Sequence, residues 1–266
     1  MVNVLCLKYG TYYGPEYVNR LYAGVKRNLT RPFRFVCVTD NHEGFRPEIE
    51  VVPLPTDPGV VGRRWPNIFV KLCLFKDGFA ELSGSTLFLD IDVLITGPLD
   101  RFFDYRPGDY CIIHNWVERR KSIFHKIPDI GNSSCFRFDA GRSGAVYELF
   151  LKMKEDPTEA WRFQLGSQKF QTFAMMKTGK VSWWPSDWVC SFKRQLVPIF
   201  PLNKIFTPWR PPKTVSVVAF HGQPDIPQAL NGYYFKETNW TGTEVAKVKP
   251  HLTCRPATWI PEYWHE

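Results

Sequence analysis

Residues 85–95 read Ser-Thr-Leu-Phe-Leu-Asp-Ile-Asp-Val-Leu-Ile, an apolar strand-like run interrupted by two carboxylates. No other stretch constrains the fold as much. A short apolar run bounded by turn residues belongs in the interior of a sheet. Asp90 and Asp92 then sit where an ionised carboxylate is costly to bury unless a partner offsets it. A divalent cation is such a partner, because hard cations prefer carboxylate oxygens. At spacing i, i+2 both side chains fall on one face of a regular strand. In open α/β sheets ligands gather outside the carboxyl ends of strands. The alternative for Phe88 to Asp92 is a pair of partly exposed strand-end acids, one of them capping the next turn. The apolar residues ahead of them favour the metal.

The pattern before this run is strand, loop, helix, strand. Residues 2–7 are a buried strand, and a polar, glycine-containing turn follows from Lys8 to Gly14. Pro15 opens a helix, on which Val18, Leu21, Tyr22, Val25 and Leu29 form one apolar stripe. Residues 33–39 give a second strand ending at Asp40. This order starts a doubly wound sheet. Further on, a helix is expected over about 65–76, strands over 109–115, 132–138 and 215–220, and helices over 145–153 and 168–177. Residues 223–266 are aromatic and Pro-rich with no clear period. No repeat or linker divides the 266 residues, so a single α/β domain is expected.

The chain carries a formal charge of +8 and is 16% aromatic, with 10 Trp. The charge suits anionic ligands, but no basic run resembles a nucleic-acid arm, so nucleic acid is not an expected partner. Surplus Trp can stack on sugars or bases, or can be irregular core packing. The seven Cys are an odd number with no C-x-x-C pair, which indicates neither a disulfide framework nor a zinc knuckle. Cys6 and Cys37 lie in apolar runs as small hydrophobes. With no membrane-spanning stretch and no signal segment evident, a cytoplasmic protein is expected, at most peripheral at the inner membrane face.

Phe220-His221-Gly222 follows the last buried strand. Alone, such a His reads as a hydrogen-bonded structural residue. Beside the two aspartates it is a candidate third ligand through a neutral imidazole, and Gly222 lets backbone approach phosphate closely.

Together, the N-terminal strand–loop–helix, the Trp65 and Lys71 pair, the strand LFLDIDVLI and the late His-Gly resemble the GT-A glycosyltransferases, the family-8-like branch in particular. The resemblance spans roughly residues 2–224. It implies a Rossmann-like, mixed but mostly parallel sheet flanked by helices. It implies Mn²⁺ or Mg²⁺ on a nucleotide-sugar diphosphate, held by Asp90, Asp92 and His221. Ile91, between the aspartates, and Gly222 would contact the donor. Lys8, Tyr9, Gly10 and Thr11 match the nucleotide-holding loop, and Asp40 the strand end near the base. Lys71 matches a basic residue facing the donor phosphates or sugar. Asn132 and Ser133, with Ser134, match a segment beside the donor sugar; a polar turn opening a strand is the other reading. Gln168 is kept where many relatives carry Asp-Gln, but Ser167 replaces the acid. Either sugar specificity differs, or another acid such as Asp187 takes over. Asp187 lies in the aromatic stretch Trp183 to Trp188, an acceptor wall or core packing.

The reaction implied is transfer from a UDP-sugar, by family default, to a glycan or lipid-linked acceptor with retention. Lys247, Lys249, Arg255, Trp259 and Trp264 form a basic, aromatic tail, expected to face a lipid-linked or polysaccharide acceptor at an anionic membrane. Two other readings compete. A haloacid-dehalogenase-like phosphatase also uses D-x-D, but residue 94 is Leu and the motif lies far from the N-terminus. A sugar-nucleotide-binding protein without turnover is left open by Ser167.

Overall fold

The computed structural model describes residues 1–56, 69–116, 129–156, 158, 166–234 and 253–266, and the backbone of Glu237–Thr238 and Glu244–Val245. Trp65, Lys247 and Lys249 lie outside the described residues.

Strand β1 (Val2–Lys8) is buried on both faces, as an apolar run of that length requires. It pairs in parallel with β2 (Phe33–Thr39), which puts Cys6 opposite Cys37. All seven Cys are buried and unbridged, as expected of small apolar side chains. Between them α1 (Pro15–Asn28) starts on Pro15 and buries its expected stripe, Val18, Leu21, Tyr22 and Val25. Gly24 lets it sit close: a Cβ there would lie 3.2 Å from Ile95.

The main sheet has seven strands. β3 (Glu50–Pro53), β2, β1 and β4 (Gly84–Leu89) are parallel. β7 (Gly131–Ala140) runs antiparallel to β4 and to β6 (Tyr110–His114), and β8 (Val181–Trp183) is parallel to β6. One antiparallel strand in an otherwise parallel sheet makes this the mixed, mostly parallel α/β sheet expected. One apolar layer under α1 and α2 (Asp100–Asp104) covers one face. On the other, α3 (Gly144–Glu155), α4 (Ser167–Thr178) and a 3₁₀ turn, Val70–Phe75, make a second layer.

The structure departs from expectation at the central run. Residues 85–95 are not one strand: β4 ends at Leu89, and β5 (Val93–Ile95) joins a second sheet with β10 (Val217–Ala219) and β9 (Val189–Ser191). The helix expected over 65–76 is, where described, 3₁₀. The aperiodic C-terminal stretch contains α5 (Ile226–Asn231), fixed by a capping box between Asp225 and Gln228. It also supplies Cys254, Ala257, Trp259 and Ile260 to a third apolar cluster under the second sheet.

No described helix is long and apolar enough to cross a membrane.

Candidate functional site

The break between β4 and β5 creates the site. Asp90 N–H donates to Ser134 O at 2.9 Å, the last rung of the large sheet, and Phe220 N–H donates to Asp92 O at 3.1 Å, the first link to the small one. The chain therefore turns within Asp90–Ile91–Asp92. Ile91 is buried against the core and borders a cleft of about 420 Å³ into which Asp90 and Asp92 open. The two aspartates share a face because the turn is pinned by both sheets, not because a strand continues.

Lys71 crosses the cleft from the 3₁₀ turn. Its Nζ lies 2.5 Å from Asp90 Oδ1, 3.5 Å from Ser133 Oγ and 4.9 Å over the Phe88 ring. Tyr13 donates its hydroxyl to Asp92 Oδ2 at 3.4 Å. Tyr9, Tyr12, Ser167 and Gln168 complete the walls, the last two from the first turn of α4.

Electrostatics show what this arrangement lacks. Burial, and then the neighbouring Asp90, push the Asp92 carboxyl up to about 8, although Lys71 pulls the other way. One ammonium is too little for two partly desolvated carboxylates. At Asp92 a proton supplies what a cation would supply, so the donor chemistry fits a divalent ion at Asp90 and Asp92. The Tyr13 hydroxyl is raised by burial and by Asp92, and remains a donor.

His221 follows β10. Burial, with Lys193 and Arg194 nearby, lowers it to about 4, so its imidazole is neutral at neutral pH, as a ligand must be. Its Nε2 is 2.6 Å from Ser191 Oγ, its ring stacks on Trp116 at 5.4 Å and 10°, and Lys193 donates to its carbonyl. Among the described residues no three His, Cys, Asp or Glu side chains gather closely enough to hold an ion. The expected trio is therefore not assembled in this conformation. With Nε2 committed to Ser191, ligation would fall to Nδ1. Gly222 has φ +72°, in the left-handed region, and Lys193 Nζ is 3.5 Å from where a Cβ would be.

Other expected residues divide. Lys8 is buried with Nζ 3.5 Å from Gly10 O, and Asp40 accepts from Gly10 N–H at 2.9 Å. Lys8 and Asp40 thus hold the loop of Tyr9, Gly10 and Thr11 in shape, while Tyr9 borders the cleft. Asn132 lies within β7 and accepts from Ser134 N–H through its Oδ1 at 3.0 Å, beside a β-bulge in the pairing with β6; Ser133 borders the cleft. Asp187, the acid expected to stand in for Ser167, does not border this cleft. It is exposed and borders a separate cavity with Trp209 and Arg210, because the turn before β9 carries it away from β4.

The tryptophans split as well. Trp184 is buried and donates to Cys135 O at 3.1 Å, and Trp188 packs against the same core. Trp183 and Trp184 also border a second cavity, of about 420 Å³, with His114 and Trp116. The tail departs from expectation: Trp259 is buried with Nε1 donating to Pro208 O at 3.1 Å, and Trp264 packs on Tyr17 with Arg20 4.0 Å over its ring. The core thus takes the Trp259 ring, while the Trp264 ring is half-buried between Tyr17 and Arg20.

Sequence reasoning did not single out Tyr12, Tyr13, Trp116, Ser191 or Lys193. Tyr12 and Tyr13 had a signal, lying in the loop after β1. The other three gather at His221 only through the second sheet.

No protein-family model matches the sequence, and no curated protein matches it. The fold does have solved counterparts. The galactosyltransferase LgtC, solved with donor and acceptor sugar analogs, aligns with a TM-score of 0.54 at 15% identity, over 84% of this chain and 88% of that one. GlyE of Streptococcus pneumoniae TIGR4, a glycosyltransferase, gives 0.54 at 12%, over 85% and 56%. The bifunctional glycosyltransferase WbbM gives 0.55 at 11%, over 85% and 46%, so this chain spans about half of each of those two proteins. With Asp90 and Asp92 at the carboxyl end of its central strand, this chain has the GT-A-like glycosyltransferase fold.

Proposed function

We propose that the chain is a metal-dependent glycosyltransferase that takes a sugar from a nucleotide-diphosphate donor, UDP by family default, and passes it to a glycan or lipid-linked acceptor. The observation that carries this reading is the paired aspartate turn opening on a cleft whose other walls are a lysine, an amide and tyrosines. Mn²⁺ or Mg²⁺ held by Asp90 and Asp92, with His221 as the third candidate ligand, would act as a Lewis acid on the departing diphosphate.

The chain's own residues do the rest. Lys71, already beside Asp90, presents a fixed ammonium where negative charge develops on the leaving group. The Lys193 ammonium lies 3.5 Å from where a Cβ of Gly222 would be, so backbone and a cation are available together to a phosphate there. Tyr9, Tyr12 and Tyr13 line the cleft and offer ring faces and hydroxyls to the donor. Gln168 offers an amide to the sugar. Among the described residues bordering the cleft the carboxylates are Asp90 and Asp92, and both would be taken by the cation. With no further carboxylate among the described cleft residues to form a glycosyl-enzyme, retention would proceed by departure and return on one face of the sugar.

A second reading, a donor-binding protein without turnover, draws support from Ser167 and from the placement of Asp187 on another cavity. Thermal-shift measurements with nucleoside diphosphates, with and without Mn²⁺, on the protein and on Asp92→Ala test the diphosphate site. Stabilisation that needs both the metal and Asp92 is expected; none under any metal condition refutes the site. Hydrolysis of the matching sugar nucleotide then separates transferase from binder.

A further inference from the structure

Eleven large hydrophobic side chains are exposed among the described residues, and six of them fall within residues 199–209: Ile199, Phe200, Leu202, Ile205, Phe206 and Trp209, at 41% to 69% exposure. Single exposed apolar residues are ordinary on a water-facing surface; a contiguous run marks an interaction surface.

The run is built, not frayed. The N–H groups of Asn203, Lys204, Ile205 and Phe206 return to carbonyls of Ile199, Pro201 and Leu202 at 2.9 to 3.2 Å, and Trp209 N–H bonds Leu196 O at 2.8 Å. Asn203 turns inward, fully buried, and donates to Thr253 O at 2.7 Å. A polar side chain thus anchors the loop inside while aliphatic and aromatic ones face out, the reverse of a loop shaped for water.

Charge indicates the partner. From Val189 to Pro224 the chain carries Lys193, Arg194, Lys204, Arg210 and Lys213 and no Asp or Glu. Arg210 is held by Glu262 and Lys193 by the His221 carbonyl, while Arg194, Lys204 and Lys213 are exposed. The Lys204 ammonium lies 5.3 Å over the Phe200 ring, a cation at the edge of an apolar face. Apolar side chains flanked by exposed cations, with no Asp or Glu in the same stretch of chain, match the boundary between acyl chains and anionic headgroups.

We propose that residues 199–209 dock the protein on the surface of an anionic lipid bilayer, with Ile199, Phe200, Ile205, Phe206 and Trp209 entering the headgroup–acyl boundary and Lys204 at the phosphates. The proposal does not rest on the transferase reading. It moves the membrane contact expected of the C-terminal tail to a different segment. The cavity bordered by Asp187, Gln195, Trp209 and Arg210 adjoins this face, so docking would bring that cavity to the bilayer.

Co-sedimentation of the full chain with vesicles tests it, comparing phosphatidylcholine alone with a mixture about one-third phosphatidylglycerol. Partitioning onto the anionic vesicles is expected, weakened by raising the salt to about 0.5 M. Ile205→Ser/Phe206→Ser should lower that partitioning about tenfold or more, and Lys204→Ser/Lys213→Ser should flatten the salt dependence, both with an unchanged unfolding midpoint. If the apolar double variant fails to fold, the lysine variant decides alone. Failure of the wild type to bind anionic vesicles, or equal binding by the variants, overturns the proposal. So does a dimer in sedimentation velocity that the serine variants dissociate without any vesicle binding, since the face would then join two copies.

Discussion

Replacing Asp92 by Asn should stabilise the metal-free protein at neutral pH. In the fold the Asp92 carboxyl is pushed up to about 8, above its ordinary value of 3.8, by burial and by Asp90. A raised acid binds its proton more tightly when folded than when unfolded. Its contribution to stability is therefore complete below about pH 4 and is lost as the pH rises toward 8. Each pH unit in that window is worth up to ~1.4 kcal/mol, so pH 5 to pH 7 has a ceiling of about 3 kcal/mol. Asp92 opens partly on solvent and shares the cleft with Asp90 and Lys71, and about half of that ceiling is expected. Asn is isosteric and does not titrate. In metal-free buffer Asp92→Asn should gain about 1–2 kcal/mol on the wild type between pH 5 and pH 7, a relative rise of roughly 3–6 °C in Tm. Mn²⁺ with the nucleoside diphosphate should reverse the order, because the wild type gains binding free energy that the variant lacks. Scanning fluorimetry over that pH range, with chelator and then with metal, reads all four numbers. A variant less stable than wild type without metal at pH 7, or a difference that does not change with pH, refutes the argument.

Two further outcomes are expected. Lys71→Met removes the ammonium that lies 2.5 Å from Asp90 and 4.9 Å over the Phe88 ring but keeps an unbranched apolar side chain; kcat/KM for the donor should fall about 100-fold or more, with a lowered metal-free unfolding midpoint that Mn²⁺ restores. A loss of stability that the metal does not restore would count against a shared charge. Arg137 is buried and donates to the carbonyls of Phe102, Tyr105 and Arg106, each at 2.6 Å, at the end of α2. Arg137→Leu strands those acceptors and should cost about 3–5 kcal/mol in urea unfolding with no specific effect on donor affinity; a loss under about 1 kcal/mol would show that water replaces the guanidinium.

Where local pattern determines structure, the sequence was sufficient. The apolar stripe from Val18 to Val25 is buried, and the runs read as β1, β2, β6 and β7 are strands in one sheet. The aspartate pair at the carboxyl end of β4 was legible because charge inside an apolar run is visible without any coordinates. That logic did not place Asp187: its residue type suited the missing acid, but nothing local told which cavity it would border.

Tertiary structure decided what depends on two sheets meeting. Leu89 and Val93 have the same apolar character, so nothing in 85–95 tells that one ends the large sheet and the other begins the small one. The pairing of Lys71 with Asp90, the seating of His221 on Ser191 and Trp116, and the outward turn of residues 199–209 are contacts between segments far apart in the chain. That last stretch is apolar yet exposed, whereas Trp259 in the tail expected at an acceptor is buried. Hydrophobicity determines that apolar side chains seek cover, but which of them obtain it is decided by the area the packed layers have available.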